Sequence, residues 1–106
     1  MKHYVIVEFD VIDPAWIAPY VAAVTPMIER LGGRYLARTS KVERLEGDRP
    51  VARVFVLVEW PSREAAMAFY DGDEYRPYRD SRIAGAVNEL TMIAGEDVTG
   101  AARIGE

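Results

Sequence analysis

Residues 52–60, ARVFVLVEW, alternate along their whole length. Val54, Val56 and Val58 fall on one side, and Arg53, Phe55, Leu57 and Glu59 fall on the other. Successive side chains of a strand point to opposite faces, so this segment carries apolar groups on both. Residues 3–11, HYVIVEFDV, repeat the pattern: Val5, Val7 and Phe9 stand against Tyr4, Ile6, Glu8 and Asp10, and the second face turns acidic at its end. The helices of the chain can cover one face of the resulting sheet. The other face, with Ile6, Phe55, Leu57 and Ile93, needs a different cover.

The remaining elements follow from local signals. Asp13-Pro14 opens a helix, with an oxygen at the cap and proline at the first helical position. Ile17, Tyr20, Val21, Val24, Ile28 and Leu31 then recur at helical spacing. Pro26 lies inside that pattern and predicts a kink near 22–26 or two helical pieces, since it removes a backbone donor. Gly32-Gly33 supplies the stop. Residues 34–45 read as a second strand with a weak point at Thr39-Ser40. The turn cluster Glu46–Pro50 leads into the strand at 52–60, so these two strands form an antiparallel hairpin. Ser62 caps a second helix that buries Ala65, Ala66, Phe69 and Tyr70 and closes at Asp71-Gly72. A third helix starts near Asp73, holds Pro77 in its first turn and runs to about Val87. Residues 88–94 give a fourth strand.

The order is β-α-β-β-α-(α)-β, which predicts an α+β, ferredoxin-like protomer: a four-stranded antiparallel sheet with helices on one face. Residues 1–95 make the domain and 96–106 a polar tail, either loose or packed on a partner. A second copy of the chain, sheet against sheet, is the simplest cover for the open face, giving a dimeric barrel.

Composition narrows the function. With no cysteine among 106 residues, disulfides, thiolate catalysis and iron–sulfur clusters drop out. A net charge of -4 argues against nucleic-acid partners. No apolar run reaches the ~20 residues of a membrane span. The N-terminus enters a strand pattern at once, so a cytoplasmic location without a leader is expected. His3 stands alone, without the companion ligands that a metal or haem requires, so neither metal nor cofactor is expected. No phosphate loop and no nucleophile elbow occurs.

Two groups of residues can carry chemistry. By alternation, Glu8 and Glu59 share the open sheet face, and Arg34 and Arg38 share one face of the second strand. If these faces coincide, two carboxylates and two guanidiniums converge. They then form either an ion-pair network or an anion site with a carboxylate as base. In the third helix Tyr75, Arg79 and Arg82 fall at i, i+4 and i+7, with Tyr78 beside Arg82. This is either a solvated face paired with nearby acids or a wall of a pocket for a planar organic acid. His3, the third candidate base after Glu8 and Glu59, lies near a strand start. Trp16 and Trp60 read as packing at the edge of the core.

The runs Gly32–Arg38 and Leu45–Asp48, then Phe69-Tyr70, Glu74-Tyr75 and Arg82, resemble the bacterial domain of unknown function 1330 family over residues 2–95. The resemblance implies the dimeric α+β barrel superfamily and a homodimer with facing sheets. That superfamily includes cofactor-free monooxygenases, isomerases and haem enzymes, so the resemblance assigns no role to any residue. The expected function is binding of a small organic acid. The alternatives are a cofactor-independent monooxygenase or isomerase acting on a carboxylated or phenolic substrate, with Glu8, Glu59 or His3 as base, and a structural dimerisation module.

Overall fold

The computed structural model describes residues 1–104; the last two positions of the tail expected at 96–106 lie outside the described residues. The chain runs β1 (His3–Val11), α1 (Ile17–Arg30), β2 (Arg34–Thr39), β3 (Val54–Trp60), α2 (Arg63–Tyr70), α3 (Arg76–Gly85) and β4 (Ala86–Ala94). The four strands form one sheet in the order β2-β3-β1-β4, and every neighbouring pair is antiparallel. This is the ferredoxin-like protomer that the element order predicts.

Local chemistry explains the element ends. Asp13 accepts from the Ala15 N–H at 3.0 Å and starts a single turn of 3-10 helix, Pro14–Trp16, before α1 proper. The expected kink at Pro26 is absent as a break: α1 is one continuous helix with Pro26 inside it. Pro26 and Ala22 are both exposed, so water can take the carbonyl that proline leaves without a donor. At the other end, Gly33 donates to Ile28 O at 2.8 Å and Gly32, at φ 99°, donates to Glu29 O. This paired closure needs a left-handed residue, and glycine provides it.

The second strand is shorter than its sequence suggests. It stops at Thr39, whose hydroxyl accepts from Lys41 N, and residues 40–53 are a long irregular connection in place of a tight hairpin. The cluster of Gly, Asp, Pro and charged residues there has little apolar surface to hold it on the sheet. The pairing of β2 with β3 is antiparallel as expected.

The core lies between the sheet and the helices. Val56, Val58 and Trp60 from β3 meet Val24, Met27 and Ile28 of α1, and Ala66 and Phe69 of α2. Trp60 is 2% exposed and its ring lies 5.3 Å from that of Phe69. Ser62 anchors α2 by accepting from Ala65 N at 3.0 Å. Ser62→Ala should therefore cost about 1 kcal/mol, read as a fall of roughly 4–8 °C in thermal midpoint. Among the described residues no helix is long and apolar enough to cross a membrane.

Candidate functional site

The helix-facing sides of β1 and β3 do not pack flush against α1 and α3. Val5, Val7, Phe9, Val56 and Val58 form the floor of a cavity of about 100 Å³. Trp16, Tyr20, Phe69 and Tyr75 form its aromatic walls, and Arg38 and Arg82 are its two cations. The aromatic rings are mutually fixed. Trp16 meets Phe9 and Tyr20 edge-on at 5.7 and 5.3 Å, and Phe69 stacks on Tyr75 at 4.2 Å.

Trp16 owes its place to the junction of α3 and β4. Helix α3 passes into β4 with no connecting loop, and the Gly85 carbonyl accepts from Ile12 N, Asp13 N and Trp16 Nε1 at 2.8, 3.0 and 3.1 Å. Gly85 has no side chain because the indole occupies the space a Cβ would fill, 2.6 Å from Nε1.

The polar end of the cavity is a three-residue cluster. The Tyr20 and Tyr75 hydroxyls lie 2.6 Å apart, and Tyr75 and Arg82 are each 2% exposed. Arg82 Nη1 donates to Asn88 Oδ1 at 2.9 Å, while Nε and Nη2 are buried without a hydrogen-bond partner. Asn88 is itself held by its amide, which donates to Arg82 O and Ala86 O. Burial works against the Arg82 charge, and the Tyr75 and Tyr20 oxygens beside it more than offset that, so the guanidinium stays charged. Burial, with Tyr75 next to it, pushes the Tyr20 hydroxyl well above the usual tyrosine range. Tyr20 is therefore a neutral donor and not a base.

The residues expected to carry chemistry separate. Glu8, Glu59 and Arg34 do share the open sheet face, as the cross-strand partners Glu8–Phe55, Tyr4–Glu59 and Arg34–Glu59 require. Arg38 does not join them. A bulge between Tyr35 and Ala37 makes Leu36 an extra residue, and Arg38 comes to lie opposite Val56 on the helix side. There it donates to Thr25 Oγ1 at 3.0 Å and lies over the Tyr35 ring at 4.4 Å. The expected convergence of two carboxylates and two guanidiniums is thus broken by one residue of register.

Glu59 pairs with Lys2 at 3.4 Å and Glu8 lies opposite Glu89, both away from the cavity. His3 Nδ1 donates to Met1 O at 3.2 Å, at the strand end. Arg79 turns from its helical neighbours to donate to Tyr70 O at 3.2 Å, with Asp80 at 3.5 Å. Of the third-helix set, Tyr75 and Arg82 alone line the cavity. Two cavity residues, Trp16 and Tyr20, carry no functional reading in the sequence, where they count as packing and core, and neither does Asn88, which holds Arg82 from outside the cavity. The aromatic spacing of Trp16 and Tyr20, one helical turn apart, was the available signal for the first two.

The model of a family described as a domain of unknown function, DUF1330, matches residues 2–96. No curated protein matches the chain. Among solved structures, it is similar to RPA0582, a protein of unknown function from Rhodopseudomonas palustris, with TM-score 0.72 and 19% identity over 87% of this chain and 80% of that one. SnoaB, a cofactor-independent oxygenase from Streptomyces nogalater, superposes with TM-score 0.62 and 16% identity over 93% and 97% of the two chains. Rv0793 from Mycobacterium tuberculosis follows at 0.58 and 19%, over 92% and 97%. At these identities the likenesses establish the fold alone.

Proposed function

Because this chain belongs to the DUF1330 family, whose description names no reaction, we propose its function from the cavity: it binds a small organic acid between sheet and helices, anchored by Arg82. One observation carries this reading. A buried guanidinium has two N–H-bearing nitrogens with no partner, in a cavity otherwise walled by aromatic and aliphatic groups. An uncompensated buried charge costs several kcal/mol, and a bound anion removes that cost while the apolar wall takes the ligand's body.

Binding fits better than turnover. An oxygenase or isomerase of this kind must take a proton from its substrate, and among the described residues the cavity lining holds no Asp, Glu or His. Glu8 and Glu59 lie on the opposite side of the sheet. SnoaB's oxygenase activity therefore keeps oxygenation as the second reading, limited to a substrate that arrives already ionised.

The binding unit is a homodimer through the open sheet face. Ile6, Phe55, Leu57 and Ile93 lie there, with Ile93 47% exposed. The face also differs in charge between its ends, with Lys2 and Arg34 against Glu59 at one and Glu8, Glu89 and Asp10 against Arg53 at the other. A two-fold copy can lay one end upon the other.

Thermal denaturation with a panel of aromatic and branched aliphatic acids tests the first part. At ~100 times its dissociation constant a ligand adds about 2.7 kcal/mol, and a panel without any shift refutes the binding function. Sedimentation tests the second. The expected particle is twice the 11.9 kDa chain, falling to one chain in Leu57→Asp. A wild-type monomer at micromolar concentration removes the dimer and leaves the cavity, which one chain forms alone.

A further inference from the structure

We infer that the ligand is a compact monocarboxylate, gripped side-on by the Nε–Nη2 edge of Arg82, with an apolar body no larger than one six-membered ring. This rests on the organic-acid reading above and narrows it.

Three observations converge on it. The first is which nitrogens are free. Nε and Nη2 occupy one edge of the planar guanidinium and present parallel N–H bonds, a fork that matches the two oxygens of a carboxylate. Asn88 takes the remaining nitrogen, Nη1. It lines a shallow groove beside β4 together with Ile83, Ala86 and Leu90, and it does not line the cavity. Asn88 therefore holds the far end of the guanidinium and turns the free edge toward the tyrosine pair.

The second observation is the character of the polar wall. Between the Tyr20 and Tyr75 hydroxyls one hydrogen makes the 2.6 Å bond, and the other hydroxyl hydrogen has no acceptor among the described residues. Arg82, Tyr20 and Tyr75 all line the cavity, and among the described residues no Asp, Glu or His does. A donor-only wall suits an anion that is ionised before it arrives. Carboxylic acids are ionised at neutral pH, whereas phenols and enols must lose a proton to a base this wall lacks. Both free nitrogens are dry and the Tyr20 and Tyr75 oxygens lie beside them, so a carboxylate that takes the fork has to displace those oxygens.

The third is size. The cavity of about 100 Å³ is not closed, and a fully enclosed benzene needs ~150 Å³, so a single ring with one edge toward solvent is the largest body it takes. No second buried cation stands ready for a dianion, since Arg38 is exposed and already donates to Thr25.

The test is calorimetric titration of the full chain with benzoate, phenol, benzamide, phenylphosphonate and 2-naphthoate at neutral pH. Benzoate is expected to bind at least tenfold more tightly than each of the others. Arg82→Lys, which keeps the charge but loses the fork, is expected to lose at least tenfold for benzoate. In the wild type, carboxylate-labelled benzoate should show the narrowed infrared splitting of a symmetric two-bond contact, a readout that needs no variant. Phenol or phenylphosphonate binding as tightly as benzoate, an unshifted splitting, or full benzoate affinity in a folded Arg82→Lys variant would each overturn the carboxylate fork and leave organic-anion binding intact. Binding of none of the five compounds would overturn that broader reading as well.

Discussion

Arg82→Met is expected to make the unliganded protein more stable, by about 2 kcal/mol, while abolishing organic-acid binding. The usual outcome of cutting a buried ionic contact is the reverse, because the surviving partner is left charged and dry. Here no charged partner survives. The guanidinium is 2% exposed, two of its nitrogens make no hydrogen bond of good geometry, and the groups beside it, the Asn88 amide and the Tyr20 and Tyr75 hydroxyls, are all neutral. Methionine has a similar apolar stem and can fill the same space. Asn88 is half-buried and borders the open groove, so water can replace the lost donor at Oδ1. Chemical denaturation of the two proteins without ligand measures the difference. A loss of several kcal/mol would mean that Arg82 is a structural tie satisfied within the chain, and the anion site would have to be given up.

Gly85→Ala is expected to act in the opposite sense on stability and the same sense on binding. The added methyl lands on the indole of Trp16, 2.6 Å from Nε1 and 3.1 Å from Cγ. The ring cannot stay where it is. It has to leave the Gly85 carbonyl, forfeiting a hydrogen bond worth about 1 kcal/mol, and the overpacking adds roughly 1–3 kcal/mol. Moving Trp16 also disturbs its edge-on contacts with Phe9 and Tyr20, which form a cavity wall. We expect a total near 3 kcal/mol in denaturation and a fall of at least tenfold in organic-acid affinity. Unchanged affinity in a folded Gly85→Ala protein would take Trp16 out of the binding wall.

What could be read in advance was whatever depends on near neighbours in the chain. The bounds of β1, the caps at Asp13 and Ser62, the Gly32-Gly33 closure and the two faces of β3 are all set within a few residues. Tyr75 and Arg82 were found together because helical spacing puts them on one side. Arg79 shares that spacing, yet its long side chain reaches back to the end of α2, a contact that only the packing of α2 on α3 creates. Asn88 was out of reach for a related reason. It meets Arg82 across a helix-to-strand junction without a loop, and nothing in local sequence marks where α3 gives way to β4. Strict alternation puts Arg38 on the outer face, and the segment pauses at Leu36, which turns it to the inner one. A bulge is fixed by the partner strand's hydrogen bonds and leaves no residue signature here, since Leu36 is an ordinary strand former.

That pause gives the short edge strand two employers. Arg34, before Leu36, belongs to the outer side of the sheet; Arg38, after it, belongs to the cavity on the inner side. Removing Leu36 shortens the strand without exchanging those allegiances, whereas straightening the strand with Leu36 kept would hand Arg38 to the outer side. The bulge at this one position, more than the choice of side chains along the strand, decides which of the two surfaces receives its second cation.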